Sequence, residues 1–306
     1  MRQEAYFCTV KELDELGKNN IPRQLISHTH LIYSSPATLA FNSPGAEGFG
    51  VKRAGLAVPD SVMLIVSPGC CGRNTSVLSS MRAYQDRFYY LLMDETDIVT
   101  GRHLKKIPKA VAEICEGLKK KPSVVMICIT CVDALLGTDM ERVCHKAEEY
   151  AGVPVRPCYM YALTREGRKP PMVHVRQSVY SLLEPKKKKG NVVNLLGYFS
   201  PLTDDCELYD LLHGAGVKTI HEISRCKDYA QYQTMSEANF NLVLHPEARF
   251  AAEDFHDRLK IPYIELRRLY QIDKIASQYR AFGAALGVTF DDEKPRRAAE
   301  NAVVKF

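Results

Sequence analysis

Two β-branched runs, each ending in cysteine, constrain what this chain can fold into. They are Val62-Met-Leu-Ile-Val-Ser-Pro-Gly-Cys-Cys-Gly72 and Val124-Val-Met-Ile-Cys-Ile-Thr-Cys131. Apolar side chains on both faces of an extended backbone are the pattern of strands buried inside a parallel sheet. In an open α/β sheet, ligands collect outside the carboxyl ends of the strands. Cys70, Cys71 and Cys131 therefore project from one sheet edge toward one place, the candidate site.

The rest of the chain repeats the alternation. Phe88–Met93 is a strand candidate, Asp94–Gly101 a polar loop, Leu104–Leu118 a helix, Asp139–Tyr150 a helix, and Val153-Pro-Val155 a strand. Asn74-Thr-Ser caps a helix expected to run to about Tyr84, which puts Cys70 and Cys71 before a positive helix terminus that favours thiolate. Glu184-Pro-Lys-Lys-Lys-Lys-Gly190 interrupts the pattern with a proline and a solvated charge run. We place the boundary there, between an N-terminal domain over 1–185 and a second over 186–306. The second repeats βαβ units: strands at 191–197, 217–221, 239–244 and 261–266, helices at 206–213, 251–259 and 272–286. The fold class is α/β, with two Rossmann-like, doubly wound parallel-sheet domains. Val10–Gly17 reads as a helix, Ser34–Val58 as an irregular Pro/Gly-rich loop, and the charged tail from Asp291 as frayed.

Length and composition exclude several classes. The chain has 306 residues, 46% hydrophobic and 25% charged, enough for two ordinary cores. Ten cysteines in a chain of this size need not be staples, and the start Met-Arg-Gln-Glu-Ala-Tyr lacks a signal peptide's apolar core, so reduced thiols in a cytoplasm are expected. No run is long enough to span a bilayer, and a net charge of +5 spread along the chain does not suggest nucleic acid. There is no Walker loop, no G-x-G-x-x-G after a strand and no nucleophile elbow. The chemistry is expected to come from a metal cofactor, or to be absent.

Cys115, Cys144, Cys158, Cys206 and Cys226 read as small apolar residues. Cys128 and Cys131 form a C-x-x-C, but in a strand they face opposite sides, which argues against shared ligation. Soft thiolates at glycine-rich strand ends suit iron–sulfur clusters better than zinc knuckles. His28-Thr-His30 reads as exposed histidines on an extended segment, with metal binding as the other reading.

Ser67-Pro-Gly-Cys-Cys-Gly72, Asp94-Glu-Thr-Asp-Ile-Val-Thr-Gly101 leading into Leu-Lys-Lys, and Thr130-Cys-Val-Asp-Ala-Leu-Leu-Gly-Thr-Asp139 together resemble the nitrogenase molybdenum-iron protein (component 1) family and its nitrogenase-like relatives. Asn191–Gly197 and Ile261-Pro-Tyr-Ile-Glu-Leu266, followed by Ile272-Asp, resemble its second domain. The resemblance implies that Cys71 and Cys131 ligate an iron–sulfur cluster at a subunit interface, fed with electrons by a separate ATP-hydrolysing iron protein. The family's earlier interface cysteine has no counterpart near Phe41–Gly48, and adjacent Cys70 is a third candidate. A third domain, which helps enclose the family's catalytic cofactor, is expected to be lacking. His245, at a strand end before Pro-Glu, stands where the family's catalytic subunit has a cofactor-ligating cysteine. His174, read as lying in a turn, falls about where the family has a histidine beside that cofactor. These two are the candidate catalytic residues.

A reductase subunit is the first function this implies, passing low-potential electrons to a substrate or cofactor. The alternative is a non-enzymatic scaffold for assembly of a nitrogenase-type metal cofactor; an inert α/β binding protein is the third. The cluster is a 4Fe-4S centre or a larger fused one, and a second metal cofactor or a tetrapyrrole remains open. A cubane takes four thiolates. Since one chain offers Cys71 and Cys131, with Cys70 in reserve, a dimer with itself or a similar subunit is expected, against a monomer that completes its set with Asp133 or solvent.

Overall fold

The structure is a computed structural model that describes residues 8–17, 20, 22, 44–69, 78–160, 169–291 and 293–304, with backbone alone at 44–49, 131, 134, 135, 303 and 304. Its elements run α1 (Val10–Leu16), α2 (Pro44–Gly55), β1 (Val62–Ser67), β2 (Phe88–Leu92), α3 (Glu95–Thr100), α4 (His103–Gly117), β3 (Val125–Ile129), α5 (Cys131–Leu136), α6 (Met140–Ala151), β4 (Val155–Tyr159) and α7 (Pro171–Tyr180). They continue β5 (Val192–Leu196), α8 (Glu207–Gly214), β6 (Thr219–His221), α9 (Tyr229–Gln233), β7 (Phe240–Val243), α10 (Arg249–Leu259), β8 (Tyr263–Glu265), α11 (Ile272–Leu286) and α12 (Glu293–Val304).

The strands form two four-stranded sheets, β2-β1-β3-β4 and β6-β5-β7-β8. Every pairing is parallel. Every residue of β1, β3 and β5 is buried, which is why these strands read as continuous apolar runs rather than alternating ones. Alternate residues still divide between two faces. Val62, Leu64 and Val66 of β1 join a core with Ile107 and Val111 of α4 and Met140 and Cys144 of α6. Met63 and Ile65 face the other way, toward Val51 and Ala54 of α2 and Val175 and Val179 of α7.

That second core does not stop at the first sheet. It continues through Tyr180 to Leu196, Tyr232, Val243, Phe255 and Leu259 of the second. Helix α7 packs against α2 and β4 on one side and α10 on the other. Tyr180 meets Phe255 with ring centroids 5.2 Å apart, and Tyr232 is fully buried with its hydroxyl donating to the Val179 carbonyl at 2.5 Å. The two sheets therefore share one hydrophobic core.

Several expectations require correction. Pro44–Gly55, expected as loop, is helical despite four glycines; α2 gains from packing Val51 and Ala54 on the sheet what its glycines lose in propensity. Gly55 lets it approach closely, since a Cβ there would stand 2.8 Å from both Cys158 Sγ and Met63 Cε. Asp94–Gly101 is no loop either: Asp94 and Asp97 form a reciprocal capping box that starts α3. The last strand of the first sheet begins at Val155, two residues past the expected start, and its Pro157 is tolerated on an edge strand. The lysine run is partly tied down: Lys188 Nζ donates to the Ser236 carbonyl at 2.7 Å and Lys189 pairs with Glu237. Glu293–Val304 forms a helix with Arg297–Glu293 and Arg296–Glu300 pairs one turn apart.

Phe255→Ala should cost roughly 3–5 kcal/mol, the range for emptying a large aromatic site. Because both sheets lean on this ring, denaturant unfolding followed by tyrosine fluorescence and by far-ultraviolet circular dichroism should shift together in one transition. Separate transitions, with one unshifted, would refute the shared core.

Candidate functional site

In each sheet the chain leaves its first strand toward one edge and returns on the other side of it. The carboxyl ends of β1 and β3, and likewise of β5 and β7, consequently open side by side, which are the switch points where such sheets hold ligands.

At the first switch point the register ends with Val66 beside Ile129. The next residues, Ser67 and Thr130, are completely buried, and neither Ser67 Oγ nor Thr130 Oγ1 has a hydrogen-bond partner among the described residues. An unmade bond at a buried hydroxyl costs about 1–3 kcal/mol. Cys131 opens α5 directly after Thr130, with its backbone alone described. Cys70 and Cys71 follow β1 and lie outside the described residues, as do His28 and His30.

Behind Cys131 stands a buried polar relay that sequence reading missed. Asp133 Oδ1 faces His103 Nε2 at 2.9 Å and accepts from Thr138 Oγ1 at 3.0 Å, while Oδ2 has no partner among the described residues. His103 and Asp133 are 1% and 0% exposed. His103 Nδ1 lies 3.0 Å from the Asp97 carbonyl, which can only accept, so Nδ1 carries a proton and a second lies between Nε2 and Asp133. Asp97 is itself buried and takes Arg102 Nε and Lys106 Nζ, each at 2.7 Å. Those two cations, Lys106 first, hold its carboxyl well below the usual range. The relay pins the first turn of α5, and with it the backbone of Cys131, to α3 and α4. Asp133 thereby has one oxygen already committed, which leaves only Oδ2 for the ligand role weighed in the monomer alternative. The signal was present as an acidic residue in each of two motifs, but pairing them through His103 needed the fold.

At the second switch point, Gly197 follows β5 with φ of 144°, and a Cβ on it would stand 2.8 Å from the amide nitrogen of His245. Only glycine allows the two strand ends this close. His245 follows β7, stacks edge-on against Tyr198 at 5.7 Å, and accepts the Glu247 amide on Nδ1 at 3.3 Å. Burial, with Arg176 and Arg268 nearby, pushes its pKa down against the opposing pull of Glu247.

His174 sits within α7, not in a turn, and packs edge-on against Tyr159 at the end of β4, 4.6 Å between centroids. The two candidate histidines thus stand at the ends of different sheets. Arg176, on the same helix as His174, is the residue that crosses. It is 5% exposed, and its guanidinium donates to Met172 O at 2.8 Å, Glu247 Oε2 at 2.8 Å and Gly197 O at 2.7 Å.

Cys128 and Cys158 are buried partners in the β3–β4 register; burial pushes the Cys144 and Cys158 thiols up strongly and Cys226 up to about 11. Among the described residues no cluster of three or more His, Cys, Asp or Glu could hold a metal, and no helix is long and apolar enough to cross a membrane.

Residues 47–306 match the family described as nitrogenase component 1 type oxidoreductase, and the chain belongs to that family. It is 27% identical over 239 residues to the nitrogenase iron-molybdenum cofactor biosynthesis protein NifE of Nostoc sp., covering 75% of this chain and 49% of the relative. The NifE of Klebsiella pneumoniae is 26% identical, over 83% of this chain and 59% of that protein. The chain thus spans about half the length of the curated relatives it matches. Among solved structures, nitrogenase Cp1 at pH 6.5 superposes with a TM-score of 0.58 at 17% identity, over 79% of this chain and 57% of that one, a likeness of fold.

Asp97 should contribute stability in full above its unfolded pKa near 3.8 and lose it as pH falls toward its lower native value. Thermal unfolding of Asp97→Asn should therefore start from a lower midpoint at neutral pH and decline less steeply below about pH 4 than the parent. An acid limb of unchanged slope refutes the assignment.

Proposed function

We propose that this chain holds an iron–sulfur group at the ends of β1 and β3, with Cys71 and Cys131 as thiolate ligands and Cys70 as a third, and that it serves assembly of a nitrogenase-type metal cofactor. The observation carrying this reading is the pair of buried, unpartnered hydroxyls, Ser67 Oγ and Thr130 Oγ1, one on each strand end that leads to the cysteines. A buried hydroxyl with no partner among the described residues fits a site whose acceptor is the sulfur of a bound group. When bound, a cluster supplies one-electron chemistry at a potential tuned by hydrogen bonds to its sulfurs and by burial. Ser67 and Thr130 would donate those bonds, and the His103–Asp133 pair would keep the Cys131 backbone from shifting.

Assembly is favoured over reduction because the similar proteins are named for cofactor biosynthesis. Two thiolates, or three, do not complete a cubane, so a similar subunit or a second copy would supply the rest across an interface. The chain contains no phosphate-binding loop, so electrons would come from an ATP-hydrolysing iron protein, in a reducing cytoplasm and without nucleic acid or membrane.

Cys71→Ala and Cys131→Ala, purified anaerobically, should each lose most of their iron and the visible charge-transfer absorption while keeping parental circular dichroism. Parental iron content in both would end the ligand assignment. Incubating the loaded protein with a metal-free acceptor should move iron to the acceptor. ATP-dependent substrate reduction with the iron retained would favour the reductase reading instead.

A further inference from the structure

The second switch point carries its own chemistry. A cavity of about 420 Å³ opens there, and its polar lining is Tyr198, His245, Arg249, Glu265, Arg267 and Arg268. The family resemblance puts a cofactor-ligating thiolate at this strand end. The residues present do not fit that role, for two independent reasons. The lining contains no cysteine. The one imidazole has Nδ1 occupied by the Glu247 amide proton, so the neutral ring carries its own proton on Nε2 and offers a donor where a metal needs a lone pair.

The charge balance points to an anion. Three guanidiniums face one carboxylate, and Arg249 already spends itself on Glu265 through two parallel bonds. Arg268 is held in place rather than neutralised: Nη2 donates to Tyr198 Oη at 2.8 Å, and the guanidinium lies 5.9 Å from the Tyr198 ring centroid. Arg267 makes no side-chain hydrogen bond or ion pair among the described residues, yet its backbone is clamped at both polar atoms by the Gln278 amide, N to Oε1 at 2.8 Å and Nε2 to O at 3.0 Å. Two cations with no carboxylate hydrogen bond among the described residues, one of them on backbone anchored by Gln278, stand beside a neutral N–H donor and form a preorganised oxyanion receptor. The orphaned Nε of buried Arg176, whose carboxylate partner Glu247 adjoins the same histidine, adds positive potential behind it.

We propose that this cavity binds a small oxyanion, a carboxylate or a phosphate, through Arg267, Arg268 and His245 Nε2–H, and ligates no metal. The proposal does not depend on the cluster site, because its ligand is tested on the whole chain by heat rather than by activity. Isothermal titration calorimetry at neutral pH and low salt, with inorganic phosphate in one arm and malonate in the other, should give saturable binding of at least one, and the tighter arm identifies the class. Arg268→Gln should weaken binding about tenfold, the loss of one charge-assisted hydrogen bond, and Arg268→Lys less. Arg267→Gln provides the same comparison should Arg268→Gln lose the parental circular dichroism. His245→Ala should weaken the anion while leaving the iron content of anaerobically purified protein unchanged. Absence of saturable heat with both anions, equal affinity in well-folded Arg268→Gln, or loss of iron in His245→Ala would each overturn the proposal.

Discussion

Arg176 is the constraint on which the architecture turns. A guanidinium only 5% exposed is expensive to bury, and the cost is met only because carbonyls at Met172 and Gly197 and the carboxylate of Glu247 all accept from it. Its face lies over Phe199, 5.0 Å from the ring centroid, which leaves little room for water. These acceptors belong to three places in the chain: its own helix, the end of β5 and the turn after β7. Removing the charge would leave a half-buried carboxylate and two carbonyls without their donor, so the tie either holds complete or fails as a unit. Through it, the helix that covers the first sheet is fixed to the ligand end of the second.

The two switch points show how one topology can host unlike chemistries. Both place two parallel strand ends side by side, and in both a side chain next to the opening is oriented by a group behind it. At the first, thiol-bearing segments follow strands whose buried hydroxyls find no partner among the described residues, and the support is a carboxylate–imidazole–backbone carbonyl chain. At the second, guanidiniums and a neutral imidazole surround the opening, and the support is a tyrosine hydroxyl, a glutamine amide and a backbone N–H. Soft, electron-rich ligands suit the first place, hard oxygen anions the second.

Much of this was legible in the sequence, for identifiable reasons. Val62–Ser67 and Val125–Ile129 are apolar on both faces, so their strand character survived any tertiary context, and their ordering foretold the edge where Cys131 begins a helix. What failed was local structure whose stabilisation is not local. The glycines of Pro44–Gly55 read as loop because the sheet that supports the helix is not adjacent in sequence. Asp94–Gly101 reads as loop because β-branched residues and a second aspartate in the cap disguise a helix start. His174 was assigned to a turn from Pro170-Pro171, although proline at the first helical position begins a helix as readily as it ends one. At the second switch point, Arg267 and Arg268 give no signal in the sequence, since nothing in their spacing says that a glutamine eleven residues on clamps the backbone of Arg267.

The shared core also governs the order in which a growing chain can finish folding. Sheet one is complete in sequence at Tyr159, and α7 at Tyr180, yet the apolar side of α7 that carries Val179 and Tyr180 waits for Phe255 and Leu259. At a ribosome adding roughly 5–20 residues per second, that surface is uncovered for about 4–15 s after the helix is made. A partly made molecule is therefore sticky for seconds, along a strip that the finished one hides. A truncation between the two sheets would make that exposure permanent, and an N-terminal fragment would behave as an aggregating intermediate rather than as a small stable domain.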